Sequence, residues 1–492
     1  MRERQNHFWK LKELSQILKI QPLPVCREVN LEQELVGIST DTRKLVAGEL
    51  FVALSGPNFN GQDFVETAIA KGAVAVVVSG AAADLLTLAQ RFPQVLFLPV
   101  ADTLVALGDL ARARLAKINP TVIAVTGSNG KTTTKEMLAQ ILAPAYRVHK
   151  TAGNFNNCIG LPLTVFAMPD DCQVVVLEMG MNAPGEIAAL TAIARPDYAI
   201  ITNVAQAHLQ GLGSLEAIAK AKCELVAGLK PGATVIYNGD DPYLARLVPK
   251  TVAACSVDVR PKLLPVSEYG ASEIEIKAVE IWHKNDGLSF VFLRGNERAL
   301  VKLPCWGRHN VMNAVLALAA GTCLVGIDPV PAANSFRKFK MPAGRLEKYD
   351  FGDGGILLHD AYNANPDSMA AALTAIAERR GGKFLALVLG DMNELGEESP
   401  ALHRQVGEKV AEIRPNLLVV VGDLAAEIAR AAQVSGLPVE RIAKFAAGAF
   451  SAVVNLLQER LPADALLLVK GSRALALENI VNPLVTVSGA QS

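Results

Sequence analysis

The stretch Ala124-Val-Thr-Gly-Ser-Asn-Gly-Lys-Thr-Thr-Thr134 follows an apolar run that starts at Thr121 and leads into a segment of helical periodicity. A buried strand, a glycine turn and a helix start in that order form a cradle for phosphate, because the first N–H groups of a helix have no partner within it. Gly127 and Gly130 let the backbone fold tightly around an anion, Lys131 brings a point charge to the β- and γ-phosphates of a nucleotide, and Thr132 offers a hydroxyl to Mg²⁺. Thr126, Ser128, Asn129 and Thr133 line the rest of the loop. The commonest form of this loop has a glycine six residues before the lysine; here Val125 stands at that place and the first glycine is Gly127. An unliganded glycine turn is the alternative, for which Lys-Thr-Thr at a helix start is a poor packing choice.

With 492 residues the chain exceeds one ordinary core, and three domains are expected. Hydrophobic residues make up 51% and aromatics only 5%, so Ala, Val and Leu must fill parallel sheets that are apolar on both faces. The formal net charge is zero and no Lys/Arg block occurs, which argues against a broad nucleic-acid or anionic-membrane surface. Seven scattered cysteines without a CxxC pair read as reduced core thiols of a cytoplasmic protein. Met1 to Ile20 has the spacing of an amphipathic helix, with no signal-peptide core, and no run is long enough to span a membrane.

Outward from the loop, Asn119-Pro120 marks a boundary, since the residue before proline leaves the helical region. Residues 1–119 read as a small α/β domain. Across 120–342, the apolar runs Val174 to Leu177, Ala199 to Thr202 and Thr234 to Tyr237 alternate with helical patterns, the signature of a mostly parallel sheet. A period-two stretch from Ser267 to Pro304 adds antiparallel strands. After a hinge at Met341-Pro-Ala-Gly-Arg345, residues 343–492 carry the strands Ile356 to His359, Phe384 to Leu389, Leu417 to Val421 and Ala465 to Val469, a second Rossmann-like unit.

Polar groups cluster where those strands end. Glu178 closes an apolar strand, a place where one carboxylate can complete a Mg²⁺ shell begun by Thr132, cap a helix or simply stand solvated. Asn203 and His208 follow another strand; His208 is a metal ligand or a satisfied surface residue. Lys220 and Lys222 lie on different faces of one helix, and spacing alone gives Lys222 no special chemistry. Asn310 and Asn313 share a face at a helix start, fit either for an adenine edge or for capping. In the last unit, three polar loops converge on one rim, around Asp360 to Asn365, Asp391 to Glu394 and Lys470 to Arg473.

Taken together, TGSNGKTTTKEM, GNFNNCIGLPLT, LEMGMNAPGEI, TNVAQAHL, GRHNVMNA, PAGRLE, DAYNANPDSM, LGDMNELG and VKGSR resemble the Mur ligase superfamily, in order from Ser39 to Arg473. NANPDSM with GDMNELG resembles its dipeptide-adding branch. The resemblance implies an N-terminal UDP-sugar domain, a central P-loop ATPase and a closing C-terminal domain. It implies ATP, UDP-N-acetylmuramoyl-tripeptide and D-alanyl-D-alanine as substrates of a cytoplasmic, monomeric peptidoglycan-synthesis ligase that binds no nucleic acid and does not insert in membranes.

Residue by residue, the resemblance assigns Lys131 to the ATP phosphates, Thr132 and Glu178 to one Mg²⁺, and His208 with a carbamylated Lys222 to a second. Asn310 and Asn313 match adenine-side asparagines, Arg345 a phosphate contact and Asp360 a ribose ligand. Ser39, Asp41 and Arg43 would face the UDP group, and Asn154 and Asn157 the acyl substrate. Asn363, Asp391, Glu394, Ser472 and Arg473 would hold the dipeptide or the peptide stem. Two departures stand out: Ser128 where another Asn is common, and Ala205-Gln206 in place of a Gly-containing pair. Folylpolyglutamate synthase-like or third-residue-adding ligases are the enzymatic rivals; a non-catalytic nucleotide-binding protein is the other class.

Overall fold

The computed structural model describes residues 8–24, 26, 28–56, 59–207, 209–270, 273–284, 287–323 and 327–489. A first, parallel sheet has the spatial order Ile38–Ser39, Leu50–Val52, Ala75–Val78, Leu96–Pro99. Its central strands are buried on both faces, as parallel strands require. The amphipathic N-terminal helix covers Leu11–Leu18, shorter than the sequence pattern predicts; residues 1–7 lie outside the described set.

The chain leaves this sheet through the helix Thr103–Ile118. Asp102 accepts hydrogen bonds from Leu104 and Val105 N at its start, and Asn119 ends it in the left-handed conformation (φ 54°) immediately before Pro120. The helix packs on Gly160–Phe166 and Glu186–Ala194, and the buried Arg114 reaches Met168 O and the Asp170 carboxylate. One apolar core therefore runs from Val52, Val77 and Leu98 through Leu107 and Leu110 to Val122, Ala124 and Leu177.

The second sheet has nine strands in the order Glu297–Leu303, Gly287–Arg294, Ile276–Lys284, Lys262–Ser267, Thr234–Asn238, Tyr198–Ile201, Thr121–Thr126, Val174–Glu178, Val148–Lys150. The last six in that order run parallel. The period-two stretch supplies the antiparallel strands, joined to the rest by parallel pairing of Val266 with Ile276. Chain order reverses around Thr121–Thr126, which lies between Tyr198–Ile201 and Val174–Glu178. Its loop is thus at the switch point where α/β sheets bind ligands.

The third sheet follows the order Glu347–Phe351, Gly355–Asp360, Leu466–Lys470, Leu385–Gly390, Leu417–Val421, Ile442–Phe445. All its pairings are parallel except that of the edge strand Glu347–Phe351. The loops after Asp360, Gly390 and Lys470 leave three adjacent strands, which accounts for their convergence. Three of the cysteines expected in the core are buried (Cys172, Cys223, Cys305), while Cys26, Cys158 and Cys255 are half-buried; all six are free thiols. The side chain of Cys323 is outside the described set. Among the described residues, no helix is long and apolar enough to cross a membrane.

Candidate active site

The loop between Thr121–Thr126 and the helix Lys131–Leu142 is held from the neighbouring strand end. Ser128 N donates to Asn203 O and Asn129 N to Asn203 Oδ1, both at 2.9 Å, and Thr202 Oγ1 donates to Asn129 O. Gly127 and Gly130 have φ of +147° and +82°. A Cβ on Gly127 would stand 1.8 Å from Thr202 Oγ1, and one on Gly130 2.2 Å from Asn313 Oδ1, so close approach as well as conformation demands glycine. The two departures noted in the sequence touch each other: Ser128 Oγ donates to Ala205 O at 3.2 Å and accepts from Ala205 N at 3.0 Å.

Lys131 curls over the loop, donating to Gly127 O at 2.7 Å and Ser128 O at 3.1 Å. Burial in the cleft draws its pKa down to about 8; nearby Glu178 opposes that shift and Arg345 adds to it. Such an ammonium lacks an anion. The amides of Lys131 to Thr133 are the first donors of their helix and have no partner within it.

Glu178 is buried, which excludes the solvated alternative. Its Oε2 accepts from Thr132 Oγ1 at 2.9 Å and its Oε1 from Asn156 Nδ2 at 3.0 Å. The sequence reading missed Lys135 and Asn156. Lys135, one helical turn beyond Lys131 and 1% exposed, lies 3.6 Å from Glu178 Oε2 and donates to Thr151 O at 2.7 Å. Thr151 Oγ1 in turn accepts from Glu178 N. Asn157 caps the helix Gly160–Phe166 through Ile159 and Gly160 N, and Asn154 is exposed, so the residue of this loop that reaches the carboxylate is the one between them.

Lys222 sits on the helix Leu215–Ala227, 1% exposed, whereas Lys220 faces solvent. Burial first, then the charge of Lys131, holds the Lys222 amine well below its ordinary pKa, against the opposing pull of Asp241. Among the described residues no hydrogen bond reaches its Nζ; His208 lies outside them. Among the described residues no group of three or more His, Cys, Asp or Glu side chains is placed to hold a metal ion. A hydroxyl and one carboxylate beside a phosphate cradle are an oxygen donor set, which fits Mg²⁺ rather than a thiophilic metal.

A cleft of about 440 Å³ runs from Gly130 and Lys131 past Asn310 and Asn313 to Glu268 and Tyr269, with Arg345 and Asp360 on its far wall. Asn310 Nδ2 donates to Trp306 O, Asn313 Nδ2 to Asn310 Oδ1, and Thr134 Oγ1 to Asn313 Oδ1. The asparagine pair thus braces the phosphate loop and lines the cleft at once. Asp360 Oδ1 accepts from Leu346 N at 3.0 Å and its Oδ2 from the buried Lys470 at 2.6 Å. Arg345 lies over the Tyr362 ring at 4.1 Å. The third unit is docked on the second: Asn365 Nδ2 donates to Asn129 Oδ1 at 2.8 Å, and Gln206 N to Asp367 Oδ2 at 2.9 Å.

The remaining candidates lie apart from this cleft, except Asn363, which lines it. Asp41 and Arg43 form a bidentate pair at 2.9 and 2.8 Å beside the buried Ser39 of the first sheet. Asp391 Oδ1 accepts from Ala425 N, Asn393 N donates to Ser472 Oγ, Arg473 pairs with Glu478, and Glu394 O accepts from Gln210 N of the second unit. These groups hold one another and shape the rim.

Family models match along the chain in three segments: Mur ligase family, catalytic domain, over residues 34–115; Mur ligase middle domain over 125–321; and Mur ligase, glutamate ligase domain, over 344–473. The UDP-N-acetylmuramoyl-tripeptide–D-alanyl-D-alanine ligase of Bacillus subtilis is 39% identical over 92% of this chain and 94% of its own. The Escherichia coli enzyme of the same name is 37% identical over 92% and 94%. Among solved structures, MurF from Acinetobacter baumannii superposes with a TM-score of 0.83 at 28% identity, covering 98% of this chain and all (100%) of that one. MurF from Thermotoga maritima in complex with ADP gives 0.76 at 26% identity, covering 93% and 98%. The chain belongs to the Mur ligase superfamily and, within it, to the MurF family.

Proposed function

We infer that this chain joins D-alanyl-D-alanine to UDP-N-acetylmuramoyl-tripeptide at the expense of ATP, giving the UDP-muramoyl pentapeptide for peptidoglycan synthesis. The observation that carries the reading is the cleft lined by Lys131 of one unit and by Arg345 and Asp360 beyond the hinge, with the hydrogen-bonded Thr132 and Glu178 beside Lys131, in a chain so like the Bacillus ligase. The three units divide at residues 119/120 and 342/343. The first takes the UDP group near Ser39, Asp41 and Arg43, and the protein acts as a monomer.

Lys131 and the helix-start amides bind the ATP phosphates and neutralise charge on the group in transfer. Thr132 and Glu178 would hold one Mg²⁺, with His208 and a carbamylated Lys222 holding a second; bound there, the two ions supply Lewis-acid stabilisation of the phosphoryl oxygens. A buried, neutral amine is the form that adds to CO₂, and the resulting carbamate offers an oxygen anion where an ammonium would repel metal. The tripeptide carboxylate attacks the γ-phosphorus, ADP leaves, and an acyl phosphate forms. The dipeptide amine then attacks that carbonyl, and the tetrahedral intermediate expels phosphate. Docking of the third unit through Asn365 and Asp367 excludes water that would hydrolyse the acyl phosphate.

Phosphate release measured with UDP-muramoyl tripeptides differing at the third residue, each with and without D-alanyl-D-alanine, tests the reading. Turnover must require both substrates; vigorous ATP hydrolysis without either defeats it. Lys222→Ala should lose activity and regain part of it with short-chain carboxylates, and full activity of the unrescued variant rules out the carbamate.

A further inference from the structure

Arg345 is held in a place where its own charge is unwelcome. Its backbone N–H closes the hinge turn onto Pro342 O at 3.1 Å. The guanidinium enters the cleft beside two other cations: its charge helps to depress the pKa of both Lys131 and Lys470. Its Nε is shut from solvent with no hydrogen-bond partner, and among the described residues it makes no ion pair with a carboxylate. Asp360, the nearby acid on this wall, is already held by Leu346 N and Lys470.

What does contact Arg345 is an aromatic face, with Cζ 4.1 Å from the Tyr362 ring centroid, well inside the roughly 6 Å reach of a cation–π contact. Tyr362 is itself fixed to the hinge: its N–H donates to Gly344 O at 3.1 Å. Gly344 has a φ of +67°, and a Cβ there would lie 3.2 Å from Tyr362 N. Compare Arg43, whose Nε and Nη2 are both taken by Asp41. A carboxylate fixes a guanidinium by neutralising it and occupying the two donors that a phosphate would take side by side. A ring face attracts the charge and takes no N–H donor, so that of Arg345 the Nη groups stay open to an anion while the Nε is shut in.

We propose that Tyr362 is the positioning residue for Arg345: its ring holds the guanidinium at the phosphate end of the cleft with its donors unspent, ready for the nucleotide. This rests on the nucleotide reading of the cleft given above. The role belongs to the ring and not to the hydroxyl, so it separates cleanly by substitution.

The experiment compares Tyr362→Phe, Tyr362→Leu and Tyr362→Trp, with Tyr362→Leu also made in an Arg345→Ala background. Direct ATP affinity is measured by calorimetry, alongside kcat and KM for phosphate release, with thermal midpoints as the check on folding. The Phe and Trp variants should bind ATP within about twofold of the parent, and the Leu variant about tenfold more weakly with KM for the UDP substrate unchanged. In the Arg345→Ala background the Leu change should cost nothing further. A loss in Phe equal to that in Leu, an unimpaired Leu variant, a tenfold loss in Trp, or an undiminished Leu effect without Arg345 each overturns the platform. An Arg345→Ala variant that binds ATP as the parent does overturns the phosphate reading itself, and the platform falls with it.

Discussion

The rims of the second and third sheets are built alike, polar loops at the carboxyl ends of parallel strands, yet they use their polar groups in opposite ways. On the second sheet the loop at Gly127 to Gly130 is braced by residues outside it, Asn203, Thr202 and Asn313, which leaves the helix-start amides unspent and Lys131 bonded only to the neutral loop carbonyls Gly127 O and Ser128 O. On the third sheet the polar side chains are taken up within the unit: Asp360 by Lys470, Asp391 by Ala425 N, Ser472 by Asn393 N. The first arrangement stores binding capacity; the second stores shape. Two buried lysines show the difference most plainly, since Lys470 donates to Asp360 and Asn363 O while Lys222 has no hydrogen-bond partner among the described residues.

The contrast breaks most readily at Lys470. Lys470→Met strands the Asp360 carboxylate in the interior and should destabilise the fold by about 3–5 kcal/mol, read by urea unfolding. A loss below about 1 kcal/mol would mean that the third rim is not held by its internal pairs. Next comes Lys131→Ala, expected to reduce phosphate release ~10²–10³-fold or more with a loss of unfolding free energy well below that of Lys470→Met, because it strands no charge and leaves only the neutral carbonyls Gly127 O and Ser128 O without its donor. Comparable damage to stability would place Lys131 with the shape-holding residues.

Lys222→Met sharpens the comparison by reversing the sign seen at Lys470. Removing a buried amine without a hydrogen-bonded partner should leave stability unchanged or raise it by ~1 kcal/mol while activity is lost. Smallest is a proton count at Lys131. Its folded pKa of about 8 lies below the ordinary 10.5, so between those values the unfolded chain binds more protons and this residue's contribution to stability rises with pH. Phosphate restores the charge, so ATP binding should take up a fraction of a proton at about pH 9 and almost none near pH 6.5. Calorimetry in buffers of different ionisation enthalpy measures that uptake; equal uptake at both pH values would exclude Lys131 as its source.

What the sequence made legible follows the same division. The strand, glycine turn and helix around Lys131 could be read because each residue type there answers to a local demand: positive φ at Gly130, an unpartnered helix start, a point charge. The alternation of apolar runs likewise foretold the parallel sheets, and the period-two stretch its antiparallel strands. Short edge strands escaped notice, as with Glu347–Phe351 and Ile442–Phe445, whose alternating or half-buried residues give a weak signal over four or five positions. Lys135 escaped because its role depends on Thr151 and Glu178, which are far from it in sequence. Choosing Asn156 over Asn154 and Asn157 needed the turn that aims it. The polar loops of the third sheet were found, but which members face the cleft was not readable, because pairing among them is decided by tertiary packing.

The core that passes without a break from the first sheet into the second bears on how the protein comes apart. Val77 and Leu98 of one unit and Val122 and Leu177 of the other belong to a single apolar cluster, whereas the clusters on the two faces of the third sheet take only Trp306, with Leu209 packed at the edge, from the second unit. Cooperative melting follows shared burial rather than the number of sheets. Differential scanning calorimetry of the whole chain should therefore resolve two transitions and not three, with residues 8–342 losing structure together. On the same ground of shared burial, the first two sheets are expected to travel as one piece when the cleft opens, with the displacement taken by the last third of the chain.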